Sequence, residues 1–204
     1  EMVNYFDYGY AEPAEGEPFS TQMQIAPCPW NAESKLLVLG LQAKKLEAAS
    51  KNNFVFLVDV SGSMSSPDKL ELLKTAFTYL IDKLGEDDTV SIVTYSGNEK
   101  VVLKGCNGAK KEMIMNAVNN LEAGGSTNGE AGLQKAYQIA EEYFIEDGNN
   151  RIIMASDGDL NVGISSAEQL KAYISEKRES GVFLSVLGFG TGNYKDPNME
   201  ALAD

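Results

Sequence analysis

The sequence predicts an α/β domain, a doubly wound, mostly parallel central sheet flanked by helices, preceded by a small N-terminal β extension. Three observations predict it. From residue 51 onward, short apolar runs rich in β-branched and aromatic residues alternate with segments whose apolar residues recur at helical spacing. Two of those runs, 54–58 and 151–156, end abruptly in a stretch carrying Asp and Gly. That is how a buried strand delivers polar groups to the carboxyl edge of a parallel sheet. Residues 1–30, by contrast, hold four of the six prolines (Pro13, Pro18, Pro27 and Pro29), a density that opposes helix and favours extended chain. The expected division is residues 1–50 for the extension and 51–204 for the main domain.

In the extension, Tyr5, Phe6, Tyr8 and Tyr10 make the first ten residues aromatic-rich, so this segment is expected to pack on a surface. Residues 19–26 and 36–43 read as strands. The second is so apolar that it is expected to be covered on both sides or to complete a sheet. Trp30, between them, is expected to plug one end of the extension. In the main domain, 54–58 reads as a strand buried on both faces. A helix over 68–84 follows, with Leu70, Leu73, Phe77, Leu80, Ile81 and Leu84 on one face and Ser66-Pro67 as its cap and first turn. Strand 89–95 is expected to form a hairpin with 100–104 across Ser96-Gly97-Asn98. Met113, Ile114, Ala117, Val118 and Leu121 mark a second helix. A third, 130–144, has the cleanest apolar face, with Leu133, Ala136, Tyr137, Ala140, Tyr143 and Phe144. Then come a buried strand at 151–156, a helix at 167–178, a second buried strand at 182–189 and the start of a last helix at 196–203.

Composition narrows the function. Thirty acidic residues against seventeen basic ones leave a net charge of −13, which disfavours binding to nucleic-acid phosphates. Histidine is absent, so catalysis by Ser-His-Asp or Cys-His groups and histidine-ligated zinc are excluded within this chain. The two cysteines, Cys28 and Cys106, lie too far apart in sequence for a metal-binding pair. They are either two free thiols or one disulfide, and a domain of this size does not need the bond. No run reaches the roughly 18 apolar residues of a membrane helix.

The chemistry concentrates in three loops. Asp59-Val60-Ser61-Gly62-Ser63 sets a carboxylate and two hydroxyls at alternate residues, with Gly62 allowing a tight turn. Ser156-Asp157-Gly158-Asp159 repeats the strand-then-carboxylate device. Gly124-Gly125-Ser126-Thr127-Asn128-Gly129 carries a hydroxyl to the start of the third helix. If strands 54–58 and 151–156 are neighbours, Asp59 and Asp157 face one crevice. Hard oxygen ligands of this kind suit Mg²⁺, Mn²⁺ or Ca²⁺.

Asp59-x-Ser61-x-Ser63, Thr127 in Gly-Gly-Ser-Thr and Asp157 in Ser-Asp-Gly together resemble the metal-ion-dependent adhesion site of the von Willebrand factor type A domain, over about residues 51–204. The extension, with Ala26-Pro27-Cys28-Pro29-Trp30-Asn31, resembles that of bacterial proteins carrying this domain. The resemblance implies a Rossmann-like fold and a bound Mg²⁺ or similar ion. Its ligands would be Ser61, Ser63 and Thr127 hydroxyls, with Asp59 and Asp157 bound directly or through water. The remaining coordination position would go to water or to an Asp or Glu of a partner protein. It also implies a secreted, periplasmic or surface-anchored bacterial protein that is not an enzyme. The family carries a further strand and usually a last helix after the one beginning near Asp196, so the chain reads as truncated.

Each residue has a plainer reading. Thr127-x-x-Glu130 is a capping box, as is Ser165-x-x-Glu168. Ser61 and Ser63 are turn-forming residue types, and Asp157-Gly158 is a turn dipeptide. Asp159 reads equally as a supporting residue or a solvated one, and Tyr95 and Asn128 as rim or structural residues. Two other functions compete with protein binding. One is Mg²⁺-dependent phosphoryl transfer. Against it stand the serines where a second carboxylate would serve, and the lack of Lys or Arg in the three loops. The other is a structural subunit whose metal only ties loops together.

Overall fold

The structure, a computed structural model, describes residues 8–44, 51–127, 129–158 and 167–190, with the side chains of 167–171 left aside. The expected helix at 196–203, and Asn128, Asp159 and Ser165, fall outside the described residues. The chain divides into two compact units, Glu1–Ala49 and Ser50–Asp204.

The first unit is a two-stranded antiparallel sheet, β1 (Phe19–Pro27) against β2 (Lys35–Ala43), in register from Phe19↔Ala43 to Pro27↔Lys35. The pleat puts Phe19, Met23, Ile25, Leu37, Leu39 and Leu41 on one face. All six are exposed, so of the two readings of β2 it completes a sheet, with β1, and is not covered on both sides. A pair of strands gives each strand one neighbour, and a single layer cannot cover its own face. On the other face the Tyr10 ring lies over Gly40 and stacks with Tyr8 at 5.4 Å. Trp30 does not plug the extension: it sits exposed in the connection between the strands, beside the buried Cys28. Cys28 and Cys106 are both free.

The second unit is built on a five-stranded sheet. Its order is β5 (Glu99–Asn107), β4 (Thr89–Tyr95), β3 (Asn52–Asp59), β6 (Asn149–Ser156) and β7 (Val182–Gly188). All pairs are parallel except the β4–β5 hairpin. The doubly wound, mostly parallel fold class is therefore what the chain adopts. Its helices are α1 (Leu72–Lys83), α2 (Lys111–Asn119), α3 (Gly129–Glu142) and α4 (Ala167–Glu179). Alternate residues of the central strand feed two cores. Val55 and Leu57 pack with Leu133, Ala136 and Tyr137 of α3. Phe56 and Val58 pack with Leu73, Phe77 and Ile81 of α1 and with Ile114 and Val118 of α2. Burying each of these large side chains contributes about 1.5–3 kcal/mol before chain entropy is counted.

The 68–84 segment is not one helix. A 3-10 turn over Gly62–Ser65 and a single π-helical turn over Pro67–Glu71 precede α1. Ser66 stands at the cap position without a capping bond, because its hydroxyl donates to the Asp68 carboxylate at 2.6 Å. Strand β7 is the edge of the described sheet and only partly buried, with Phe183 and Leu187 exposed. It lacks the two covered faces that an unbroken apolar run suggests.

Gly132 lets α3 approach β4 closely. A Cβ there would lie 2.8 Å from Tyr95 Cβ, 3.2 Å from its Cγ and 3.3 Å from Leu57 Cδ1. Tyr95 and Leu57 are fully buried and cannot yield. Gly132→Ala is expected to lower stability by about 1–3 kcal/mol through overpacking, measurable by urea denaturation.

Candidate metal centre

Strand order reverses between β3 and β6, and the crevice beyond their carboxyl ends is where such sheets hold ligands. The register Val58↔Ala155 sets Asp59 level with Ser156, with Asp157 next along the chain. Both aspartates are fully buried, and the charge of Asp157 is felt by Asp59. The expected neighbourhood of these two carboxylates is therefore present.

Backbone hydrogen bonds hold two of the loops together. Val60 N–H donates to Tyr95 O (2.9 Å), Gly62 N–H to Gly125 O (3.0 Å) and Gly124 N–H to Val60 O (2.7 Å). The third loop is anchored by Phe189 N–H to Ser156 O at 2.9 Å. Within the crevice, Asp59 Oδ1 accepts from Ser61 N–H at 2.9 Å and Oδ2 from the Ser156 hydroxyl at 3.1 Å. Ser156 Oγ in turn accepts from Gly158 N–H at 3.1 Å. Ser61 Oγ and Ser63 Oγ are 3.0 Å apart. Thr127 lies two residues past the Gly125 carbonyl that binds Gly62, and is half buried. Among the described residues its side chain makes no hydrogen bond, so its capping-box alternative with Glu130 is not formed.

Burial raises the pKa of Asp59 above the ordinary carboxylate value, and the Asp157 charge adds to this. Hydrogen bonds from Ser61 and Ser156 oppose the rise without cancelling it. Tyr95 is not a rim residue. It is fully buried, and burial and then the Asp59 charge push its phenol well above its ordinary pKa. Its hydroxyl lies by Asp59 and Ser156 without completing a hydrogen bond among the described residues.

Sequence reasoning missed two residues. Ser156 holds Asp59 from the neighbouring strand. Lys69 reaches in from the π-helical turn, its Nζ 2.9 Å from Asp157 Oδ2 and 3.0 Å from Ser63 O. The loops themselves contain no lysine, yet the site does contain one. Its signal was available, since Lys69 continues the buried 73–77–81 stripe of the helical segment one turn earlier.

The arrangement fits a hard dication. A buried hydroxyl without a partner, two serine hydroxyls side by side and two buried carboxylates are an excess of oxygen at one point. Among the described residues no three carboxylate, thiol or imidazole groups gather, so an ion here would depend on hydroxyls as much as on carboxylates.

Comparison with known proteins agrees with the fold. The profile of the von Willebrand factor type A domain matches residues 53–204, and a second profile, described as von Willebrand factor, matches 1–38. The uncharacterized protein YfbK of Escherichia coli K12 is 41% identical over 213 residues, covering all of this chain and 37% of that protein. Human inter-alpha-trypsin inhibitor heavy chain H3 is 31% identical over 151 residues, covering 70% of this chain and 17% of that one. The chain thus spans well under half the length of these relatives. Among solved structures, a von Willebrand factor type A protein of Catenulispora acidiphila superposes with a TM-score of 0.63 at 20% identity, covering 97% of this chain and 45% of that one. Proximal thread matrix protein 1 of the mussel byssus, described with a zinc-occupied metal-ion-dependent adhesion site, gives 0.61 at 25% identity, covering 76% and 39%. The chain belongs to the von Willebrand factor type A domain family.

Proposed function

We propose that this chain is a divalent-cation-dependent protein-binding module. Ser61, Ser63 and Thr127 would hold the ion through hydroxyls, with Asp59 and Asp157 as its carboxylates. The observation that carries the reading is the pair of buried aspartates at the sheet's switch point, facing hydroxyls rather than further carboxylates. Two carboxylates only just neutralise a dication, and hydroxyls donate weakly. A bound ion therefore remains a Lewis acid able to accept one carboxylate from a partner's Asp or Glu.

The oxygen donors suit a hard ion, Mg²⁺ or alternatively Mn²⁺ or Ca²⁺. Beside the site opens a crevice of about 760 Å³, lined by Val60, Ser96, Asn98, Glu122 and Ser126 among others. It gives room for residues flanking a partner's acidic side chain. The proposal extends to a bacterial protein placed outside the cytoplasm, a reading supported by the resemblance of the extension around Ala26–Asn31 to that of bacterial proteins carrying this domain. Among the described residues no helix is long and apolar enough to cross a membrane.

The test is retention of the protein on beads carrying a peptide with one glutamate as its sole carboxylate. Retention should require Mg²⁺, reverse with EDTA and vanish when the peptide carries alanine instead. Retention indifferent to EDTA would contradict the proposal. Phosphoryl transfer is the second reading, and Lys69 gives it the cationic group that the loops lack. Turnover of p-nitrophenyl phosphate in Mg²⁺, lost on Asp59→Asn, would favour it. A metal that only ties loops together predicts stabilisation by Mg²⁺ with no peptide retention.

A further inference from the structure

We propose that Lys69 is the resident counter-cation of the aspartate pair, and that it sets the charge of the loaded site so that one partner carboxylate completes it. The inference rests on the metal-site reading above.

Among the described residues, Lys69–Asp157 is the one ion pair with both side chains buried, 9% and 0% exposed. Lys51–Asp87, Lys74–Glu71, Lys104–Glu142 and Lys177–Glu141 each have an exposed partner. The structure makes specific provision for this lysine. Among the described residues its amine is held on Asp157 Oδ2 and on Ser63 O, inside the loop that carries the serines. Its stem passes Gly190, where a Cβ would lie 2.5 Å from Lys69 Cε; Gly190 has φ +89°, a conformation L side chains rarely adopt. It is carried on a single π-helical turn, a widening of the helix found often at functional sites. A buried ion pair adds little net stability compared with apolar packing, so stability alone does not account for this one.

Charge accounts for it. Among the described residues, Asp59 and Asp157 with Lys69 leave the cluster one negative charge, enough to attract a dication. The dication turns that into one positive charge, and one incoming carboxylate brings it to zero. Without the ammonium, the loaded site would be neutral before the partner arrived. Lys69 therefore weakens the hold on the metal and strengthens the hold on the partner's carboxylate. These opposite signs separate a charge-setting residue from one that merely packs.

The experiment titrates wild type, Lys69→Met and Lys69→Arg with Mg²⁺ by calorimetry. It then titrates the Mg²⁺-loaded proteins with an N-acetylated, C-amidated peptide carrying one glutamate. Lys69→Met should bind Mg²⁺ roughly 10-fold more tightly and the peptide roughly 10-fold more weakly, as removal of one nearby charge in a partly desolvated site requires. Lys69→Arg, which keeps the charge, should stay within about threefold on both. Lys69→Met is refolded in Mg²⁺ and its affinity read by EDTA back-titration, so instability without metal does not block the measurement. Metal affinity unchanged or weakened in Lys69→Met, or peptide affinity unchanged, overturns the inference while leaving the metal site standing. Wild-type protein that takes up no Mg²⁺ overturns both.

Discussion

Lys69→Met should lower the stability of the protein in EDTA by about 3–5 kcal/mol, the cost of stranding one member of a buried ion pair. Asp157 is fully buried, and Lys69 neutralises it at 2.9 Å. Methionine fills a similar volume and leaves the carboxylate in place without its ammonium. The double variant Lys69→Met, Asp157→Asn should recover most of the loss, because neutral groups need no counter-charge. Two-state urea denaturation of the three proteins in EDTA checks this. Adding Mg²⁺ should rescue the single variant far more than the double, since only the single variant keeps the Asp157 carboxylate stripped of its counter-charge.

Asp59→Asn should abolish stabilisation by Mg²⁺. At a hundredfold excess over the dissociation constant, that stabilisation is about 2.7 kcal/mol in wild type. In EDTA the same variant should be more stable than wild type. The folded-state pKa of Asp59 is raised above 3.8, chiefly by burial. Its contribution to stability is therefore fullest below the unfolded value and is lost as pH rises through the folded one. At neutral pH the ionised group works against the metal-free fold, and asparagine removes that cost. The amide keeps the Ser61 N–H acceptor and can donate to Ser156 Oγ. Thermal melts of both proteins in EDTA, from pH 7 down to just above pH 4, should converge as Asp59 takes up its proton. A variant less stable than wild type at pH 7 in EDTA would contradict this account of Asp59.

Much of this was legible because the relevant patterns are local. Phe54 to Asp59 is one strand, and a continuous apolar run ending in a carboxylate has few other readings in an alternating α/β chain. The same holds for β6 and Asp157. Lys69 escaped because its partner lies 88 residues away, and because a lysine beside a capping serine and a proline resembles a solvated first turn. The π-helical turn escaped for a similar reason, since helical spacing of apolar residues does not distinguish one register of backbone bonding from another. In the extension, Leu37, Leu39 and Leu41 announce a surface that favours burial. Composition states that preference but not which residues satisfy it, so β2 completes a two-stranded sheet without being covered, and Trp30 stays exposed. At its strand end, Tyr95 reads as a rim or as a structural residue. Register with Asp59 and close packing under Gly132 put it inside.

The central claim is that three loops distant in sequence converge on one cation. An anomalous difference map from a crystal soaked in Mn²⁺ examines it directly. The account predicts one peak in the crevice of the second unit, bounded by Ser61 Oγ, Ser63 Oγ, Thr127 Oγ1 and the carboxylates of Asp59 and Asp157. No peak at that position, with the crevice open to solvent in the crystal, would contradict it.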